Sequence, residues 1–110
     1  MSKKRIAAVS HHAAEVEELR ADKELAVEYL KAAMASLDDP DDRAAGLIAL
    51  RTVAEAYGGL AAVARATGVS RESLYRSLSP SGNPTLKTLL AVLSTVGMRL
   101  SVEAGDKRAA

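Results

Sequence analysis

The chain has 110 residues, which is the size of a single domain. Hydrophobic residues make up 48% of it and charged residues 26%, so we expect a globular protein. Cysteine is absent, which excludes disulfides, zinc–thiolate sites and a thiol nucleophile. No apolar run approaches the length that spans a membrane, so the expected location is the cytoplasm, with no membrane partner.

The net charge of +1 conceals an uneven distribution along the chain. Residues 1–10 carry three basic side chains. Residues 11–56 carry eleven acidic and five basic side chains, a net charge of −6, whereas residues 57–102 carry one acidic and five basic, a net charge of +4. This division predicts different partners for the two halves, although two solvated faces would give the same pattern.

The first part of the chain predicts an arm followed by a helix. Residues 1–21 show no clean period, which indicates an irregular or partly helical N-terminal arm. After Asp22, apolar residues recur at three- and four-residue steps as far as Leu37. This spacing predicts an amphipathic helix with Asp22 as its N-cap.

Four aspartates surround Pro40 within residues 38–42. Pro40 suits the first position of a second helix, with Asp39 as the cap before it. A calcium loop is the alternative interpretation, but the segment lacks the alternate-residue ligands and the central glycine of an EF-hand. The second helix is predicted to end at Gly58-Gly59.

Three more helices are predicted, two short ones over about 60–66 and 71–78 and a longer one that starts at Asn83-Pro84 and ends at Gly97. The longer helix is expected to bury its spaced apolar residues, Leu86, Leu89, Leu90, Leu93 and Val96. The sequence therefore predicts an all-α fold, with a five-helix domain over residues 22–97.

The residues after this domain predict one short strand over 98–104, followed by a tail over 105–110. Met98, Leu100 and Val102 alternate with polar residues, which is the period of a strand. A lone strand leaves its backbone groups unpaired. We therefore expect it to pair with the same strand of a second subunit in a homodimer.

Residues 60–78 match the requirements of a helix-turn-helix. Ala64 provides the small residue at the helix crossing, and Gly68, four residues later, provides a turn with positive φ. The apolar contacts between the helices are assigned to Val63, Val69 and Leu74. An ordinary helical hairpin with a solvated polar face is the alternative interpretation.

Ser70 is the predicted N-cap of the second helix, and this position fixes which residues face outward. Arg71 and Arg76 are expected to donate to guanine in the DNA major groove, and Glu72 to accept from cytosine. Residues expected to lie near the DNA backbone or to cap a helix are Ser70, Ser73, Tyr75, Ser81, Asn83, Thr85 and Lys87.

Residues 64–90, closed by Gly-Met-Arg-Leu-Ser-Val at 97–102, resemble the HigA-like addiction-module antidote proteins, which are small Xre/Cro-type helix-turn-helix regulators. The likeness extends over about residues 22–102 and is most distinctive in Leu-Ser-Pro-Ser-Gly-Asn-Pro at 78–84. It implies an antitoxin that neutralises a RelE/ParE-like, HigB-type toxin. It further implies a dimer that represses its own operon at an inverted-repeat operator in double-stranded DNA.

Two alternatives to this role stay open. The chain could be a stand-alone prophage-type transcriptional regulator without a toxin. It could also be a protein-interaction module that acts through its acidic half, which would complement a basic toxin.

No pattern in the sequence favours catalysis, a metal or a cofactor. His11-His12 is the only histidine pair, and adjacent residues point in different directions. The serines form no Gly-x-Ser-x-Gly motif, and no glycine-rich phosphate loop with a lysine is present. We therefore expect a non-enzymatic protein.

Overall fold

The computed structural model describes residues 3–105, with side chains from residue 11 onward. Within these residues it contains six α-helices: α1 (Lys3–Ala21), α2 (Lys23–Ser36), α3 (Arg43–Ala56), α4 (Gly59–Thr67), α5 (Arg71–Ser77) and α6 (Leu86–Thr95). The predicted all-helical class is confirmed, but the predicted count of five helices was wrong, because residues 3–21 form a further continuous helix.

Long-range contacts hold α1 on the domain, although its own sequence has little amphipathic character. Leu19 is fully buried in the common core. The Tyr57 hydroxyl donates to the Leu19 carbonyl at 2.7 Å, and Arg20 Nε donates to the Ala56 carbonyl at 3.2 Å. These bonds join residues more than 30 positions apart, so a local period could not reveal them.

Asp22 caps α2 as predicted, since its side chain accepts from the Leu25 amide at 3.1 Å.

Helices α2 and α3 approach each other closely at Gly46. A Cβ atom on Gly46 would lie 2.7 Å from the Ala33 carbonyl oxygen and 3.0 Å from Ser36 Cβ. The close packing of the two helices therefore depends on the absence of a Cβ atom at Gly46.

The aspartate-rich segment forms a turn before α3. The predicted helix start at Pro40 was wrong, because α3 begins at Arg43. Asp39 does act locally, since its Oδ1 accepts from the Asp41 amide at 3.0 Å. This bond, with the backbone bond from the Asp42 amide to the Asp39 carbonyl at 2.9 Å, closes the turn.

Helix α3 lies at the centre of the fold and packs against α1, α2, α4 and α6. Its buried residues include Leu47, Leu50 and Val53. From α6 the core receives Val92 and Leu93, followed by Val96. Leu86 and Leu90, which were predicted to be buried, are 60% and 44% exposed, because α6 turns a different face to α3 and α4.

The predicted strand over 98–104 was wrong as secondary structure. Gly97 adopts a φ of 76°, and the Met98 amide donates back to the Leu93 carbonyl at 2.9 Å, which terminates α6. The chain then continues to Gly105 without regular structure, and Leu100 and Val102 are exposed. Beyond Gly105, the predicted tail lies outside the described residues.

Within residues 3–105, no single helix is both long and apolar enough to cross a bilayer; α3 and α4 pass that test only as a pair, bent by 99°.

The close contact at Gly46 predicts that a single methyl group added at this position destabilises the protein measurably. We expect Gly46→Ala to lower the free energy of unfolding by about 1–3 kcal/mol, because α2 and α3 must separate to admit the Cβ atom. Urea denaturation measures this change. Gly105→Ala is the matched control, since a Cβ atom there would meet nothing within 4 Å; equal stability of the two variants would contradict the prediction.

Candidate nucleic-acid interface

A tight turn at Gly68 joins α4 to α5. Gly68 has a φ of 74°, a conformation that side-chain-bearing residues rarely adopt, and its amide donates to the Ala64 carbonyl at 2.8 Å. Val63 is buried, and Ala64 and Val69 are half-buried against the core. The predicted turn glycine and the apolar residues around it therefore occupy the expected positions.

Thr67 occupies a buried position in this turn, where an apolar residue would be usual. Its hydroxyl donates to the Val63 carbonyl at 2.9 Å and accepts from the Val69 amide at 3.2 Å. Both polar functions of the hydroxyl are thus satisfied in a site that is only 5% exposed. The threonine contributes to the turn instead of disrupting it.

Ser70 caps α5 as predicted. Its backbone is extended, with φ −65° and ψ 155°, and its Oγ accepts from the Ser73 amide at 3.2 Å. Leu74 on the inner side of α5 and Leu78, the C-cap residue that follows the helix, are fully buried. The cap and the two leucines together fix the rotation of this helix about its axis.

That rotation leaves Arg71, Glu72, Tyr75 and Arg76 on the exposed side of α5. Ser73 is half-buried, and its hydroxyl lies within hydrogen-bond distance of Ser70 Oγ (3.1 Å) and Arg76 Nη2 (3.4 Å). The surface thus presents two guanidinium groups and one carboxylate, which offer both donors and an acceptor to base edges. Contact of these side chains with DNA stays a prediction.

The loop after α5 folds back onto the end of that helix. Ser79 Oγ donates to the Arg76 carbonyl at 2.7 Å, and the Gly82 amide donates to the Ser79 carbonyl at 2.8 Å. A Cβ atom on Gly82 would overlap the Ser77 carbonyl, so the loop requires glycine there. The sequence marks Gly82 only as part of the distinctive block 78–84, because the close approach of the loop to the end of α5 is a property of the fold.

Thr85, rather than Asn83, caps α6. The Thr85 hydroxyl oxygen accepts from the Thr88 amide at 3.1 Å, so the predicted helix start at Asn83-Pro84 was two residues too early. Of the other residues assigned to the DNA backbone, Ser81 and Asn83 lie in the loop and Lys87 lies in the first turn of α6, and all three are exposed.

Sequence reasoning also missed Arg51 of α3. Its Cζ lies 5.7 Å from the centroid of the Tyr75 ring, a cation–π contact between α3 and α5. Nothing in the local sequence relates two residues 24 positions apart.

Within residues 3–105, His, Asp and Glu side chains form no cluster that could hold a metal ion.

The cap of α5 can be tested directly. We expect Ser70→Ala to lower the free energy of unfolding by about 1 kcal/mol, because the Ser73 amide loses its acceptor. Hydrogen exchange of the Ser73 amide, with urea denaturation of the whole domain, measures the effect. Ser101→Ala, an exposed serine outside the helices, is the control. Unchanged exchange at Ser73 would contradict this assignment.

Comparison with known proteins places the chain in a family. An uncharacterized protein of Haemophilus influenzae is 39% identical over 57 residues, which are 52% of this chain and 58% of that protein. The aligned segment thus spans little more than half of that relative. No solved structure matches the chain. A family model described as "Probable addiction module antidote protein" matches residues 10–104, and the chain therefore belongs to this family of probable addiction module antidote proteins.

Proposed function

We propose that this protein is the antitoxin of a type II toxin–antitoxin module and represses its own operon by binding double-stranded DNA through α5. The proposal places it among the HigA-like, Xre/Cro-type helix-turn-helix regulators, with α4 and α5 as the motif. The observation that carries it is the exposed set Arg71, Glu72 and Arg76 on a helix whose opposite side is locked into the core.

In this mechanism the first turns of α5 enter the major groove. Arg71 and Arg76 donate paired hydrogen bonds to guanine O6 and N7, and Glu72 accepts from the cytosine amino group. The hydroxyls and amides of the loop over 79–85, with Lys87, contact phosphate. Binding then weakens steeply with salt, because each neutralised phosphate releases counterions.

An inverted-repeat operator requires two copies of α5, related by a two-fold axis about one DNA turn apart. The side chains that support a homodimer are the exposed apolar residues of α6, Leu86 and Leu90, which lie one turn apart on the same face. Leu100 and Val102 add exposed apolar surface after α6. Burying these side chains against a second copy removes apolar surface from water.

The toxin contact is assigned to α1 and α2, which carry five of the eleven acidic residues of the first half. Glu17, Glu18, Glu24 and Glu28 are exposed on these two helices. A RelE/ParE-like, HigB-type toxin that binds RNA carries a basic surface, and this surface complements them electrostatically.

The two binding roles separate in one experiment. We expect Arg71→Ala/Arg76→Ala to weaken binding of the DNA upstream of the gene by about 30-fold or more, because each arginine loses paired bonds to a base. Fluorescence anisotropy at fixed salt measures the DNA affinity. The same variant still captures the product of the neighbouring gene, because α1 and α2 are unchanged.

Lys31→Ala is the matched control for the loss of positive charge, since Lys31 is exposed on α2. Wild-type affinity in the double arginine variant would remove α5 from DNA recognition. Failure of the wild-type chain to capture any neighbouring gene product, with DNA binding intact, would favour the stand-alone regulator.

The dimer is tested at α6. We expect Leu86→Glu/Leu90→Glu to shift the protein from dimer to monomer in sedimentation equilibrium and to weaken operator binding, because charged side chains replace the apolar contact. The fold is retained, since both leucines lie at the surface, 60% and 44% exposed. Leu25→Glu, at an exposed leucine of α2, serves as the control. A monomeric wild-type chain that binds the operator would refute the dimer.

A further inference from the structure

The recognition helix α5 is held on its inner side by buried leucines, but its outer side has one contact with α3. The guanidinium of Arg51 lies over the ring of Tyr75, which is exposed on α5. α5 has only seven residues and packs mainly on α4. A helix this short has little stability of its own, so a contact on its exposed side affects how it is oriented.

Arg51 also lies within ion-pair distance of a carboxylate. Its Nε lies 4.0 Å from Oε1 of Glu55, one turn further along α3, and both side chains are 28% exposed. The other carboxylate oxygen, Oε2, lies 2.8 Å from Nε2 of His12 on α1. Because a carboxylate only accepts, Nε2 carries the hydrogen in this bond.

Four side chains therefore form an unbroken series across three helices: His12 of α1, Glu55 and Arg51 of α3, and Tyr75 of α5. The two ends lie in the helices to which the proposed function assigns different partners. The bond from His12 holds the Glu55 carboxylate in an orientation that leaves one longer contact, 4.0 Å, between Oε1 and Arg51 Nε. Without that bond the carboxylate can turn so that both oxygens face the guanidinium, and a two-bond pair draws the guanidinium away from the Tyr75 ring.

We propose that Arg51 and Glu55 are positioning residues for α5, and that the bond from His12 to Glu55 makes the DNA affinity of α5 depend on the placement of α1. This inference rests on the proposed function, since it concerns the same DNA-binding helix. A partner that binds α1 and displaces His12 then lowers DNA affinity. By thermodynamic reciprocity, bound DNA lowers the affinity for that partner by the same factor.

The test is a double-mutant cycle on the full chain, with anisotropy on the upstream operator DNA as the measurement. We expect His12→Ala to weaken DNA binding by roughly twofold to fivefold, the effect of losing one hydrogen bond to the Glu55 carboxylate. Arg51→Ala weakens it further, by about tenfold. Because His12 acts only through Arg51, the double variant binds as weakly as Arg51→Ala alone.

Two controls make the cycle specific. His11→Ala changes an adjacent exposed histidine and leaves DNA affinity unchanged. Arg51→Lys keeps a cation beside the ring and recovers part of the affinity that Arg51→Ala loses. In all these variants the dependence of log K on log salt keeps its slope, because a positioning residue releases no counterions from phosphate.

Three results would overturn the inference. Additive effects of His12→Ala and Arg51→Ala would show that the two side chains act independently. A salt slope reduced by about one in Arg51→Ala would show that Arg51 contacts a phosphate itself. Unchanged hydrogen exchange of the α5 amides in His12→Ala would show that α1 does not reach α5. These failures are distinct from failure of the proposed function, in which the wild-type chain does not bind the operator.

Discussion

The burial of Leu74 and Leu78 is the constraint on which the candidate site depends. A helix of seven residues does not persist in water by itself, so α5 exists because these two leucines enter the core and Ser70 caps its first turn. With the inner side fixed, the helical period leaves Arg71, Glu72 and Arg76 no position except the outer side. The orientation of the polar residues is thus a consequence of apolar packing.

The same core ties the acidic N-terminal half to the basic half. Leu19 of α1 and Leu74 of α5 belong to one cluster of buried residues, and α3 packs against helices from both halves. A fold with a single core gives two differently charged surfaces a fixed relation to one another. For an addiction module antidote protein, the shared core fixes the position of the acidic surface relative to the surface that we propose to bind DNA.

The buried polar residues of this core form hydrogen bonds within their own helices. Thr52, Thr67 and Thr88 are buried, and the hydroxyls of Thr52 and Thr67 donate to carbonyls one turn earlier in their helices. No buried side-chain polar atom among the described residues lacks a partner. Satisfied hydroxyls of this kind cost little and leave no unpaired group for a ligand.

Local patterns in the sequence determined the elements that depend on neighbouring residues. The caps at Asp22 and Ser70, the turn at Gly68 and the exposed side of α5 follow from spacings of a few residues, because capping, positive φ and the helical period are local properties. Within residues 60–78, the two helices and the turn at Gly68 therefore lie within one residue of the bounds that the sequence predicts.

Only the tertiary structure decided the features that join distant parts of the chain. α1 packs on the domain because the Leu19 carbonyl accepts from the Tyr57 hydroxyl and Arg20 donates to the Ala56 carbonyl. Residues 98–105 form no strand. Leu86 and Leu90 are exposed, because leucines lie on more than one side of α6 and their spacing does not show which side packs against the core. The contact of Arg51 with Tyr75 likewise depends on how α3 and α5 pack, which no spacing along the sequence encodes.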